Sequence, residues 1–296
     1  MSLYRHIVVG TDFSSQADLA VNSAISLAVQ HSARLSLLHI IDERVMQYNE
    51  VLPLSPGEME EMLRQETKRK LSDLLEAQDL EDLAYEVHVI FGKPHVEIDK
   101  YCAENDGELV VLGQRSEKLL KQLLLGSTAE RLLRHTRVPT LLVAPDGNLK
   151  WENILAPVDF SETSKSSLEH AIQLAKDSNA ELHVLHVSED TPFASLAGLL
   201  PLNETDNIRD TYEANIQEEF DKFLSSVDFR GVKYVREFRR GAASTEIKLV
   251  AESTKADIIV MGSVGRTGVR GILIGNTAER VARTLQCSLL TIKAAE

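Results

Sequence analysis

Short runs of consecutive apolar residues recur along the chain: "HIVVG" (6–10), "LSLLHII" (35–41), "LVVLG" (109–113) and "TLLVA" (140–144), then "ILAPV" (154–158) and "DIIVM" (257–261). Each has strand length, and apolar residues at successive positions predict strands covered on both faces, as in a parallel sheet. Between them the spacing changes to three and four. Ala17, Ala20, Val21, Ala24 and Ala28 predict one amphipathic helix, opening at Ser15 with Asp18 as a capping box. Leu168, Ala171, Ile172 and Ala175 predict its counterpart, and residues 58–78 and 212–227 read as cover helices with charged outer faces. Alternating strand and helix predicts an α/β fold: five parallel strands per half, with helices after strands one to four. The stretches 42–60 and 189–210, rich in Pro, Asn, Ser and acids, are expected as connections over one face.

The chain is written twice. Residues 6–42 align without gaps on 153–189 with 12 of 37 positions identical, among them Asp12/Asp159, Phe13/Phe160, Ser14/Ser161 and His39/His186. "GKPHVEI" (92–98) aligns on "GAASTEI" (241–247), and residues 109–134 align on 258–283. A duplicated domain follows, spanning 1–147 and 148–296, with turn formers Pro145, Asp146, Gly147 and Asn148 at the join.

Composition narrows the partners. Apolar residues make up 43% and charged ones 26%, and the formal charge is −13. That balance repels nucleic-acid phosphates, and no basic stripe offsets it. The start of the chain lacks the pattern of a signal peptide, and no apolar run reaches the ~20 residues of a membrane span. Cys102 and Cys287 read as reduced packing residues, so the sequence predicts a cytoplasmic protein.

The chemistry concentrates in "GSVGRTGVRGILIGNTAER" (262–280), where five glycines fall within fourteen residues behind an apolar run. Glycine lets main chain approach a ligand with no Cβ in the way. A helix opening at Gly275 would turn the free amides of Gly275, Asn276 and Thr277 outward, a site suited to phosphate. Arg266 and Arg270 add positive charge. Asp159 ends the first strand of the same half. If the first and fourth strands are neighbours, carboxylate and glycine loop face one crevice. The alternative is a turn-rich connection with no ligand. Neither a P-loop nor a G-x-G-x-x-G signature is present.

These residues resemble the universal stress protein family, over nearly the whole chain and in both halves. The loop is similar to the family's G-x2-G-x9-G-(S/T) motif through Gly262, Gly265 and Gly275, with Asn276 where Ser or Thr is usual. "APVDFS" (156–161) and "VLHV" (184–187) resemble its first- and second-strand signatures, and "GSVGRTG…GNTAE" is most like tandem members of the E type. The resemblance implies two Rossmann-like domains of the adenine nucleotide alpha hydrolase-like kind. It implies ATP, or another adenine nucleotide, possible Mg alongside it, and no structural metal. Asp159 and Val187 would contact adenosine beside Pro157 and Met261. Gly262, Gly265, Arg266, Gly275, Asn276 and Thr277 would hold ribose and phosphates. The first half would carry a weaker site from Asp12, Ile40, Gly113, Gly126, Ser127 and Thr128, because Ser116 replaces the middle glycine and Glu117 adds negative charge.

The resemblance also implies pairing of the halves through 139–145 and 288–294 as an intramolecular pseudo-dimer, with a homodimer of whole chains beyond it. The repeated histidines read as structural, since His183 and His186 face opposite sides of a strand. The apolar stretch 193–202 reads as local packing, a lid or a partner surface. A nucleotide-binding regulator of the stress response is expected rather than an efficient catalyst, because no general base stands near the motif. A slow ATPase or phosphotransfer enzyme, and a scaffold for a protein or lipid, remain as alternatives.

Overall fold

The computed structural model describes residues 3–45, 55–76, 80, 83–114, 125–147, 150–189, 202–264, 274–284 and 286–293. The chain divides into two compact units, Met1–Leu149 and Lys150–Glu296. The first unit runs β1 (His6–Gly10), α1 (Ser15–His31), β2 (Arg34–Ile41), α2 (Pro56–Glu76), β3 (Tyr85–Phe91), α3 (Pro94–Glu104), β4 (Leu109–Gly113), α4 (Ser127–His135), β5 (Thr140–Val143). The second repeats it as β6 (Asn153–Pro157), α5 (Glu162–Ser178), β7 (Glu181–Ser188), α6 (Leu202–Ser225), β8 (Tyr234–Arg240), α7 (Ala243–Thr254), β9 (Ile258–Gly262), α8 (Asn276–Thr284), β10 (Ser288–Ile292). Among the described residues each unit therefore has five strands, with helices after the first four.

Within the first unit the strand order is β3-β2-β1-β4-β5, and within the second β8-β7-β6-β9-β10. The pairings are parallel: Val8 lies opposite Ser36 and Val110, and Ile154 opposite Leu182 and Ile258. The chain moves outward from β1 in one direction to β3, then returns to β1's other side with β4. The first and fourth strands of each unit are thus neighbours, with the order reversing between them.

The consecutive apolar runs have the burial that a two-sided sheet requires. Every residue of β1 is buried, as are Leu109–Leu112 of β4 and Ile258–Met261 of β9. On α1 the buried stripe includes Ala17, Ala20, Val21, Ala24 and Ala28, and α5 buries Leu168, Ala171, Ile172 and Ala175. The alanines of the α1 stripe let helix and sheet pack close together.

Three boundaries differ from expectation. The cap of α1 is Ser14, not Ser15: its hydroxyl accepts from the Ala17 amide, and Ser161 does the same for α5 through Ser164. Ser14 keeps the extended backbone (φ −77°, ψ 156°) that a capping hydroxyl needs, while Ser15 is already helical. α2 and α6 also begin at Pro56 and Leu202, inside the stretches expected as connections. Proline at the first position of α2 costs no hydrogen bond, so a residue that looks like a breaker opens the helix instead. The stretch 193–202 lies almost wholly outside the described residues.

Close packing also explains the first glycine of each loop. A Cβ on Gly113 would lie 2.3 Å from the carbonyl oxygen of Gln16 in α1. On Gly262 it would lie 3.0 Å from Cγ2 of Thr163. These glycines let a helix N-terminus approach the end of the fourth strand, whatever else they do. Gly113→Ala is expected to lower stability by about 1–3 kcal/mol through overpacking, seen as a lower urea midpoint. Gly126→Ala, whose Cβ would meet nothing within 4 Å, should change it by less than about 1 kcal/mol.

Candidate functional site

At the carboxyl rim of the second sheet, where β6 and β9 meet, a cavity of about 560 Å³ opens within the unit. Pro157, Val158 and Asp159 enter it from the end of β6, and Leu185, Val187 and Glu189 from β7. Met261, Gly262, Ser263 and Val264 come from the end of β9, and Ile274 to Ala278 with Arg280 from the start of α8. Ala243 and Ile247 of α7 and Ser164 of α5 complete the described lining. Pro157 is the last residue of β6, and its lack of an N–H suits a strand end that must part from its neighbour.

Sequence reading named Pro157, Asp159, Val187, Met261, Gly262, Gly275, Asn276 and Thr277, and all eight line this cavity. Gly265 and Arg266 lie outside the described residues, as do Arg270 and, in the first unit, Ser116 and Glu117. The sequence reading missed Ser164, Ser263, Ala243, Ile247 and Arg280. Arg280 was within reach, since it stands one helical turn beyond Asn276. Ala243 and Ile247 were not, because only the fold carries α7 to the mouth of β6.

One expected amide is not free. The Gly275 N–H donates to the Ser263 carbonyl at 2.6 Å, which draws the two ends of the glycine loop together. The first bond inside α8 is Glu279 N–H to Gly275 C=O (3.1 Å). The amides of Asn276, Thr277 and Ala278 thus precede the intrahelical ladder, and with the helix dipole they form a positive rim for an anion. The outward-facing set is shifted by one residue from expectation.

Asp159 is held by the turn that follows it. Its Oδ1 accepts from the Ser161 amide (3.2 Å) and hydroxyl (2.6 Å). Phe160 between them has φ 65°, a left-handed conformation that costs a phenylalanine about 1–3 kcal/mol. The ring stacks on His186, centroids 4.2 Å apart, and also contacts Phe220 and Phe223. Nδ1 of His186 donates to the carbonyl of Val158 at 2.8 Å, so the imidazole holds the residue before the aspartate and the residue after it. The repeat builds the same clamp. Phe13 has φ 60°, packs on His39 at 4.6 Å, and Nδ1 of His39 donates to the Thr11 carbonyl (2.9 Å).

In the first unit Asp12 follows β1 with Oδ1 accepting from the Ser14 amide (3.0 Å). Gly113 ends β4, and Ile40 lies near the end of β2. Gly126 caps α4 with its backbone alone, leaving Ser127 and Thr128 as the first helical residues. The elements place these residues along one rim of the first sheet. Burial pushes the Cys102 thiol up to about 12, which suits a packing residue. Among the described residues no cluster of His, Cys, Asp or Glu could hold a metal ion. Nor is any helix among them long and apolar enough to cross a membrane.

Fold and site together define a class: doubly wound α/β domains, present twice, each with an aspartate after its first strand and a glycine ending its fourth at the strand-order reversal. The model of the universal stress protein family matches residues 3–144 and again residues 150–293. The chain belongs to the universal stress protein family. A universal stress protein of Methanocaldococcus jannaschii is 34% identical over 148 residues, half of this chain and 85% of its own. Tandem likeness extends further. A universal stress protein of Mycolicibacterium smegmatis is 26% identical across 97% of this chain and 96% of its own. The universal stress protein E homolog of Haemophilus influenzae is 25% identical across 98% and 97%. The crystal structure of a universal stress protein from Archaeoglobus fulgidus superposes with TM-score 0.69 at 24% identity, covering 99% of this chain and 100% of that one, a likeness of fold.

The clamp generates a pH dependence. Burial, as the largest influence, lowers the pKa of His39 below its ordinary 6.5, and burial likewise lowers His6. For a base with a lowered folded value, the unfolded chain binds the extra proton first. Stability is therefore full above about 6.5 and declines as pH falls through that value toward the folded ones. The urea midpoint of the wild type should be lower at about pH 5 than at about pH 7.5, and His39→Asn should flatten that difference.

Proposed function

We propose that the C-terminal half binds an adenine nucleotide, ATP with its accompanying Mg foremost, and that the protein acts as a regulator in the stress response. The observation that carries this reading is the cavity where Asp159, Gly262 and the opening amides of α8 converge. Its volume of about 560 Å³ lies in the range of small-molecule sites. Its chemistry is divided as a nucleotide is. Leu185, Val187, Ile247 and Met261 offer apolar wall for a base. The amides of Asn276 and Thr277, with Arg280 a turn away, suit phosphates. Asp159, aimed by the Ser161 turn, suits a ribose hydroxyl. Binding through main-chain N–H groups requires shape rather than a particular side chain, which is consistent with Asn276 where the family has Ser or Thr.

The proposal ranks the two halves. The intact glycine spacing of the second half favours it, and the first half, with Ser116 and Glu117 in its loop, is the weaker site. Isothermal titration calorimetry of the full chain with ATP and Mg is expected to show one dominant site per chain. Asp159→Ala should weaken it by at least about tenfold, equivalent to ~1.4 kcal/mol. Asp12→Ala should leave it within about twofold, ~0.4 kcal/mol. Absence of any ATP heat from the wild type, or equal binding by Asp159→Ala, would defeat this function.

A further inference from the structure

Ser263 follows the last residue of β9, and its main chain is fully committed. Its N–H donates to the Ile292 carbonyl (2.8 Å), and its carbonyl accepts from the Gly275 amide (2.6 Å). The side chain differs. The residue is 1% exposed and is among those lining the cavity, yet its Oγ meets no hydrogen-bond partner among the described residues. Other buried serines of these helices give their hydroxyl to main chain: Ser23 to Leu19, Ser164 to Ser161 and Ser167 to Ser164. A hydroxyl removed from water without a partner destabilises the protein, and alanine in its place would avoid that cost. Position 263 therefore carries a polar group that folding alone disfavours.

Its place indicates what that group serves. Ser263 is adjacent to Gly262 and bonded to Gly275, so it sits in the neck of the glycine loop, next to the opening amides of α8. We infer that the Ser263 hydroxyl is a ligand-binding group, donating its hydrogen bond to an oxygen, phosphoryl or ribose, of the nucleotide in this cavity. The inference rests on the nucleotide reading above and adds to its main-chain contacts a side chain that stands between Gly262 and Gly265. Ligand supplies the partner that the fold withholds, so binding and the relief of a buried polar group become one event.

Ser263→Ala tests this through two readouts with opposite signs. Without ligand, its melting temperature should rise by about 2–4 °C, because the orphaned hydroxyl is gone. ATP affinity by calorimetry should fall about five- to tenfold, as for one lost hydrogen bond. A residue with a merely structural role would lower the melting temperature on truncation. Titration with adenosine separates the two oxygens: loss for ATP alone assigns the bond to phosphoryl, and equal loss for both assigns it to ribose. Either result sustains the inference. A wild type that binds neither ligand removes this inference together with the nucleotide reading. A wild type that binds ATP, beside a Ser263→Ala variant of equal affinity or lower unliganded melting temperature, overturns the inference alone.

Discussion

Strand order is the constraint on which the second unit's cavity depends. A parallel sheet whose chain first moves outward from its central strand and then returns on the other side must part its crossovers at one point. Helices α5 and α8 leave the sheet in different directions there, and the gap between the ends of β6 and β9 is what remains. Every lining residue is there by virtue of that topology. Asp159 belongs to the crossover that departs one way and Asn276 to the one that departs the other.

The reversal provides a gap, and the clamp after the first strand gives it chemistry. An unsupported left-handed phenylalanine would relax, and the aspartate before it would turn away. His186 prevents this with two contacts, a hydrogen bond to Val158 and a stack against Phe160. The cost of the strained φ is offset by burying aromatic surface among Phe220 and Phe223. Histidine can serve because one nitrogen donates while the ring face remains apolar. The same device in the first unit, with Thr11, Phe13 and His39, shows that duplication preserved the clamp.

The glycines divide between two duties that their spacing alone does not separate. Gly113 is pinned by helix packing, its missing Cβ being space already taken by Gln16. Gly275 is pinned by the loop neck, its amide fixed on Ser263. Family resemblance groups them under one motif, while physical chemistry assigns one to the fold and the other to the shape of the loop. The Ser263 side chain serves neither duty, which is what makes a hydroxyl unpartnered among the described residues informative.

Local physics made much of this protein readable from its residues. Consecutive apolar positions demanded buried parallel strands, three- and four-residue spacing demanded helices, and the repeat demanded two copies of one unit. Asp159 and Gly262 are expected at one crevice on the condition that the first and fourth strands are neighbours, and strand–helix alternation leaves few arrangements to choose among. Only the tertiary structure decided the rest. Ala243 and Ile247 reach the cavity because α7 packs back over the sheet, a long-range fact with no local signal. The capping hydroxyl fell to Ser14 rather than Ser15 because cap geometry is a matter of backbone angle. The Gly275 amide was withdrawn from the anion rim by a carbonyl twelve residues earlier in the chain. Sequence fixes which groups can bond; which of them do is settled when distant segments compete for the same partner.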